Sequence, residues 1–177
     1  MNLPIQPLTA EAYAPYGDVI AAGVRGEPGK PANYGTARRF DRLATLSNLR
    51  AGATPNVSVF RSAARVDFPF RLAMLEKHPG STQVFIPMNA RRYLVVVALG
   101  DETPDLSTLR VFGATGKQGI SYRPGVWHHP LFNLDEEADF TCLVFEDDTA
   151  GDCVEHALSS PNATSEVGAL ELFLSPP

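Results

Sequence analysis

The sequence predicts an all-β fold, a barrel or sandwich of short strands joined by tight turns. Three observations predict it. About ten short apolar or alternating segments recur at intervals of roughly ten residues, with turn chemistry between them. Glycine and proline number 14 and 15 in a chain of 177 residues, which favours many turns over long helices. The most apolar run, Tyr93 to Leu99, is β-branched and too short for an ordinary helix, so it reads as a buried strand. The length fits one domain, residues 1–158, followed by a tail, 159–177, that is weakly ordered or docked on the barrel.

Taken in order, Leu3 to Pro7 alternates, and Thr9 caps a single helical turn through Tyr13. Gly17 ends that turn before a strand at Asp18 to Ala21. Residues 22–37 carry glycines and prolines without periodicity and read as a long loop, of the kind that serves as a lid or interface. Val57 to Arg61 alternates as a strand should, and Arg71 to Leu75 leads into a polar stretch. After the turn cluster Gly100 to Asp105, Leu106 to Phe112 reads as a short helical turn and then a strand from Leu109. Gly116 and Gly119 bracket a turn before Ile120 to Tyr122. Strands follow at Val126 to Leu131, Phe140 to Phe145 and Cys153 to Leu158. Beyond Ser159 the composition turns to Ser, Pro, Asn and Ala, though the terminal Leu170 to Leu174 is apolar enough to dock.

Composition removes several function classes. Fifteen Lys and Arg against twenty Asp and Glu leave a net charge of −5, which argues against nucleic acid or an anionic membrane as partner. No apolar run reaches the length of a spanning helix, and the N-terminal residues lack a signal-peptide layout. Cys142 and Cys153 are not in a C-x-x-C spacing, so neither a disulfide framework nor a zinc knuckle is indicated. A soluble, cytoplasmic protein is expected.

Chemistry concentrates in two segments. Glu76, Lys77, His78, Pro79, Gly80, Ser81, Thr82 and Gln83 pack an acid, an imidazole and a carboxamide into eight residues. Strand alternation sets Glu76 and His78 on one face; Pro79-Gly80 breaks the strand, and Gln83 re-enters on the next. Gly125 to Pro130 supplies His128 and His129, which alternation points to opposite faces. At most one of them joins His78 inside, and the other looks outward. Imidazole, carboxylate and amide donors together suit Zn, Ni, Mn or Fe without selecting among them. Trp127 reads as packed wall, Lys77 as a surface residue, and His156 as structural.

The spacing of these residues resembles the cupin motifs. Glu76-x-His78, Gln83 and Ala90 echo H-x-H-x(3,4)-E-x(6)-G, with Glu, Gln and Ala in the first-His, acid and glycine slots. Gly125-x-x-His128 echoes the second motif, with Asn133 one place late and Arg123 in place of proline. A longer resemblance runs through Glu76-Lys77-His78-Pro79, Gln83 to Met88, Val95 to Asp101, Pro104 to Arg110 and Val126 to Leu131. Tyr16 to Ile20, Asn33, Gly35 and the pair Ser58 and Arg61 add to it. Over residues 3 to 158 the chain resembles bacterial ureidoglycolate lyases. Where that family reads H-P-L-G-[ST]-Q, this chain has His78-Pro79-Gly80-Ser81-Thr82-Gln83, with the glycine one place earlier. The resemblance implies a cupin-like β-barrel (a double-stranded β-helix, or jelly roll) and a homodimer. It also implies cleavage of ureidoglycolate to glyoxylate and urea in allantoin breakdown.

That reaction needs a base, an acid and a carboxylate anchor. Glu76, His78 and His128 are the expected catalytic residues. With Gln83 they form the expected ligand set for a divalent metal, Ni, Mn, Zn or Fe, or otherwise contact substrate directly. Arg61, on the face of Val59, is the expected carboxylate clamp, since its planar fork matches a carboxylate. Ser58 and Ser81 are expected donors to the ureido group, and Asn33 and Arg39 are expected to close over the site from the long loop. Two other classes fit the same residues: a cupin-type isomerase or dioxygenase, and a non-catalytic ligand-binding barrel.

Overall fold

A computed structural model of the chain describes residues 2–64, 68, 70–158 and 173–174. Strands β1 (Asn2–Leu3) and β2 (Ile5–Pro7) precede a single helical turn, α1 (Ala10–Tyr13), which Thr9 caps by accepting from the Ala12 N–H. β3 (Val19–Ile20) follows. The stretch expected to be loop holds a small hairpin, β4 (Lys30–Ala32) and β5 (Ala37–Arg39). Its tip, Asn33 and Tyr34, lies in the left-handed region and lets the chain reverse. Then come β6 (Thr54–Ser62), β7 (Phe70–Arg71), β8 (Met74–Lys77), β9 (Gln83–Pro87) and β10 (Arg92–Leu99). β11 (Asp105–Thr115) is strand throughout. The helical turn expected near Leu106 does not form: residues 106–109 stay extended as a register shift between Asp105 and Arg110, both of which pair with β10. β12 (Gly119–Tyr122), β13 (Trp127–His128), β14 (Phe132–Asn133), β15 (Ala138–Glu146), β16 (Val154–Ala157) and β17 (Phe173–Leu174) complete the order.

Two sheets face each other and make the barrel, so the all-β expectation holds. The first runs β16, β8, β13, β10, β11, β2, with β14 also on β10; the second runs β3, β12, β9, β15, β6. Tyr93, Val95, Val97 and Phe112 of the first sheet meet Phe85, Ile120, Phe140 and Cys142 of the second in one core. A second cluster covers the outer face of the first sheet, where Leu94, Val96, Ala98 and Trp127 pack with Leu72, Leu75 and Phe132. β10 is thus buried on both faces, the physical reason its sequence is continuously apolar instead of alternating. The outer face of the second sheet is open, and Val57 and Val59 on its edge strand are 65% and 58% exposed.

Of the terminal stretch expected to dock, Phe173 and Leu174 pair with β1 and β7, while residues 159–172 lie outside the described residues. Among the described residues, no helix is long and apolar enough to cross a membrane.

Candidate active site

Glu76 lies in β8 directly opposite His128 of β13, and Glu155 of β16 lies opposite Glu76 on the other side. Gly125, at φ +81°, allows the bend that starts β13, and its N–H donates to the His78 carbonyl at 2.9 Å. β8 ends at Lys77, and that tie carries His78 back beside the pair. The rings of His78 and His128 stand 5.5 Å apart, and Tyr122 stacks on His128 at 4.0 Å with planes 9° apart.

The hydrogen bonds of the two imidazoles define their chemistry. His78 Nδ1 meets the Asp152 carbonyl at 2.6 Å, and His128 Nδ1 meets the Val126 carbonyl at 3.0 Å. A carbonyl can only accept, so each Nδ1 carries a proton, and in the neutral ring the lone pair lies on Nε2. Both Nε2 atoms are buried without a hydrogen-bond partner among the described residues, as is Gln83 Oε1. The nearest group to His128 Nε2 is Glu76 Oε1 at 3.5 Å, too far for a formed bond. One donor atom from each of Glu76, His78 and His128 lies within 4.8 Å of the others.

The electrostatics agree with this picture. Burial, then the neighbouring His128, hold the His78 pKa below its usual value, so the ring is neutral near pH 7. Burial works to raise the Glu76 carboxyl, but interaction with His128 and then His78 outweighs it and keeps the group below the usual range. The site therefore combines an ionised carboxylate and the neutral imidazole of His78 with the buried imidazole of His128.

Two cavities meet at this cluster. The larger, about 350 Å³, is lined by Glu76, Gln83, His128, His129 and Arg61. The smaller, about 170 Å³, is lined by His78, Gln83, Arg50, Asp152 and Cys153. Phe60 and Gln83 border both. A wider open cleft of about 850 Å³ lies between residues 27–30 and 39–42, but ion pairs of Lys30 and Arg39 with Asp41 occupy its walls and no histidine reaches it.

The fold brings Glu76, His78, Gln83 and His128 together. Arg61 reaches the rim of the larger cavity, where its guanidinium grips Asp139 at 2.8 and 3.0 Å. Ser58 faces Cys142 across the β6–β15 ladder and hydrogen-bonds its thiol. Ser81 is buried and donates to Asp152 at 2.7 Å. Asn33 and Arg39 sit on the β4–β5 hairpin, away from both cavities of the cluster.

His129 points away from the barrel interior as expected, but it is covered and does not face solvent. β13 ends at His128 and the chain turns at Pro130, where His129 is buried against Phe70 and Phe132 of the outer cluster and also borders the larger cavity. Trp127 is fully buried as wall, with the Lys77 ammonium 4.5 Å from its ring centre.

Sequence reasoning missed Asp152 and Arg50. Asp152 holds the turn after His78, accepting from the Gly80 N–H at 2.6 Å and from Ser81. Arg50 lays its stem across Gly80, where a Cβ would come within 2.5 Å of it. That contact is the physical reason a glycine stands at position 80.

Comparison with known proteins adds to this geometry. The family profile described as ureidoglycolate lyase matches residues 1–165. A ureidoglycolate lyase of Burkholderia mallei is 45% identical over 139 residues, covering 78% of this chain and 79% of its own. One from Pseudomonas fluorescens is 42% identical over 156 residues, covering 88% and 90%. Among solved structures, a sugar 3,4-ketoisomerase of Thermoanaerobacterium thermosaccharolyticum matches with a TM-score of 0.40 and 19% identity, over 56% of this chain and 64% of that one.

Proposed function

The chain belongs to the ureidoglycolate lyase family, and from that premise we propose that it cleaves ureidoglycolate to glyoxylate and urea in the breakdown of allantoin. The observation that carries the reading at the level of the site is the pair of buried, unpartnered imidazole nitrogens beside one carboxylate.

Ureidoglycolate bears a carboxylate, a hydroxyl and a ureido nitrogen on one carbon. Its cleavage removes the hydroxyl proton and forms the aldehyde C=O as the C–N bond breaks. The electron pair of that bond, and a proton, go to the departing nitrogen. The net change is one proton moved from oxygen to nitrogen, which a single carboxylate within reach of both can carry. Glu76 is our choice: it is ionised, it lines the larger cavity, and it sits 3.5 Å from His128, whose imidazole steadies its charge.

The donor set fits a divalent cation of the Ni, Mn, Zn or Fe kind, because two imidazole nitrogens with no hydrogen-bond partner among the described residues stand beside an ionised carboxylate. His78, His128 and Glu76 would hold it. Bound there, such an ion lowers the pKa of the substrate hydroxyl and draws in its carboxylate. The carbonyls of Asp152 and Val126 keep both imidazoles in the tautomer that donates through Nε2. A carboxylate has two oxygens, so Glu76 can hold an ion with one and take the proton with the other. Arg61, at the rim, clamps the substrate carboxylate by exchanging Asp139 for it.

We place the enzyme in the cytoplasm as a homodimer; the exposed Val57 and Val59 on the open sheet face support association, and light scattering tests it. The activity itself is tested by incubating the protein with ureidoglycolate and assaying both products. Glyoxylate and urea in equal amounts are expected. Ammonia in place of urea would mean hydrolysis instead of lysis, and no glyoxylate with any of the four metals would end the lyase reading.

A further inference from the structure

The smaller cavity, beside His78 and away from the rim arginine, has a lining whose hydrogen-bonding pattern is incomplete in a particular way. Among the described residues, Arg50 Nε is a buried N–H with no acceptor, and Gln83 Oε1 is a buried acceptor with no donor. Both line this cavity. The remaining Arg50 nitrogens are committed, one to the Phe145 carbonyl at 3.2 Å and one to Asp147 at 3.3 Å. Gln83 is 6% exposed, so open water does not compensate its oxygen. The cavity thus asks for a small ligand that accepts one hydrogen bond and donates another.

Charge narrows the choice. Asp147 and Asp152 flank Arg50, the latter at 3.9 Å from Nε, so its positive charge is already balanced. An anion entering here would meet two carboxylates around one guanidinium, and it would bring no donor for Gln83. A neutral amide brings both: a carbonyl for Arg50 Nε and N–H groups for Gln83. The volume, about 170 Å³, takes a group of four heavy atoms at about 30 Å³ for each water-sized unit.

We propose that the smaller cavity is the ureido subsite, with Arg50 Nε donating to the ureido carbonyl and Gln83 Oε1 accepting from a ureido N–H. This rests on the lyase reading. The carboxylate and hydroxyl then occupy the larger cavity with Glu76, His128 and Arg61. The scissile C–N bond lies where the two cavities meet at Gln83 and Phe60. The arrangement discriminates: a 2-hydroxy acid without a ureido arm fills one cavity and leaves two buried groups unpaired.

The test uses the metal-loaded protein and two probes, N-methylurea for the smaller cavity and glycolate for the larger. Gln83→Leu removes the acceptor at similar volume, and Arg50→Lys keeps the charge while removing the Nε–H. Each variant is expected to raise the inhibition constant of N-methylurea about tenfold and to leave that of glycolate within about twofold. Unchanged N-methylurea inhibition in Gln83→Leu overturns the proposal. So does weakened glycolate with unaltered N-methylurea, which would assign the carboxylate to this cavity. Loss of bound metal from Gln83→Leu also overturns it, since the oxygen would then belong to the ion. If Arg50→Lys does not fold, Gln83→Leu decides alone. Broadening of the N-methylurea methyl signal in NMR, and its loss in Gln83→Leu, reads the subsite without turnover. A protein that binds N-methylurea yet never yields glyoxylate would thus retain the subsite and lose the lyase reading.

Discussion

Asp152→Ala removes the acceptor of two donors that water cannot reach. The Gly80 N–H and the Ser81 hydroxyl both point at this carboxylate, at 2.6 and 2.7 Å, and both residues are buried. Hydrogen bonds to a charged acceptor contribute roughly 1.5–3 kcal/mol each, so the pair amounts to about 3–6 kcal/mol. The Arg50 contact at 3.9 Å adds little, because Arg50 keeps Asp147. For a chain of this size, each kcal/mol shifts the melting temperature by about 2–4 °C, giving a fall on the order of 6–24 °C by calorimetry. Asp152→Asn retains one accepting oxygen and should fall between. The backbone carbonyl that holds His78 Nδ1 survives the substitution, but the loosened turn shifts it, and metal affinity should drop about 10- to 100-fold. Ser81→Ala should cost about 1–3 kcal/mol alone and little more on top of Asp152→Ala, the two sharing one bond. A melting temperature within about 3 °C of the parent, or strict additivity of the two substitutions, would show that the carboxylate does not hold this turn.

Further outcomes follow from the same geometry. His78→Ala and His128→Ala should each abolish metal retention after dialysis, read by elemental analysis; full activity of the chelated parent protein would remove the ion from the mechanism. Arg61→Ala should lower kcat/KM about tenfold or more while changing stability by no more than about 1 kcal/mol, because its pairing with Asp139 is exposed. An unaltered rate would discard Arg61 as the clamp. The metal-free protein should lose stability in acid. Burial depresses the His78 pKa in the folded state, so the unfolded chain binds more protons below about pH 6.5. That contribution is complete above about pH 6.5 and is lost as pH falls through the folded value. Melting curves with chelator between about pH 5 and 7.5 should show it, and a rise in stability toward pH 5 would contradict the sign.

The readable part of the site was the part set by local spacing. Glu76-x-His78 on a strand end and His128 after a glycine are short-range patterns, and two neighbouring strands suffice to join them. The barrel was legible for the same reason, its strands and turns each announcing themselves over a few residues. What failed was local inference applied where long-range contact decides. Alternation sent His129 outward but could not show that Phe70 and Phe132 cover it there. A mixed helix and strand pattern from Leu106 yielded to an eleven-residue strand, with Asp105 and Arg110 on either side of the shifted register paired to β10. The irregular 22–37 stretch hid a hairpin, because its turn depends on Asn33 and Tyr34 adopting a left-handed conformation. Asp152 and Arg50 left no signal. One acts partly through a backbone carbonyl, which every residue has, and the other through a stem lying across a distant glycine.

The double burial of β10 has a consequence for how this protein can change. In an ordinary half-exposed strand, every second position accepts substitution freely, and drift accumulates there. From Tyr93 to Ala98 no such position exists, since each side chain enters one core or the other. Random variation should therefore be purged along this strand and accumulate on the open face of the opposite sheet. The wall that carries His128 and Glu76 is paired to or neighbours this intolerant strand. New substrate preferences would have to arise from the Phe60 and Arg61 side of the cavities, where the chain still has room to vary.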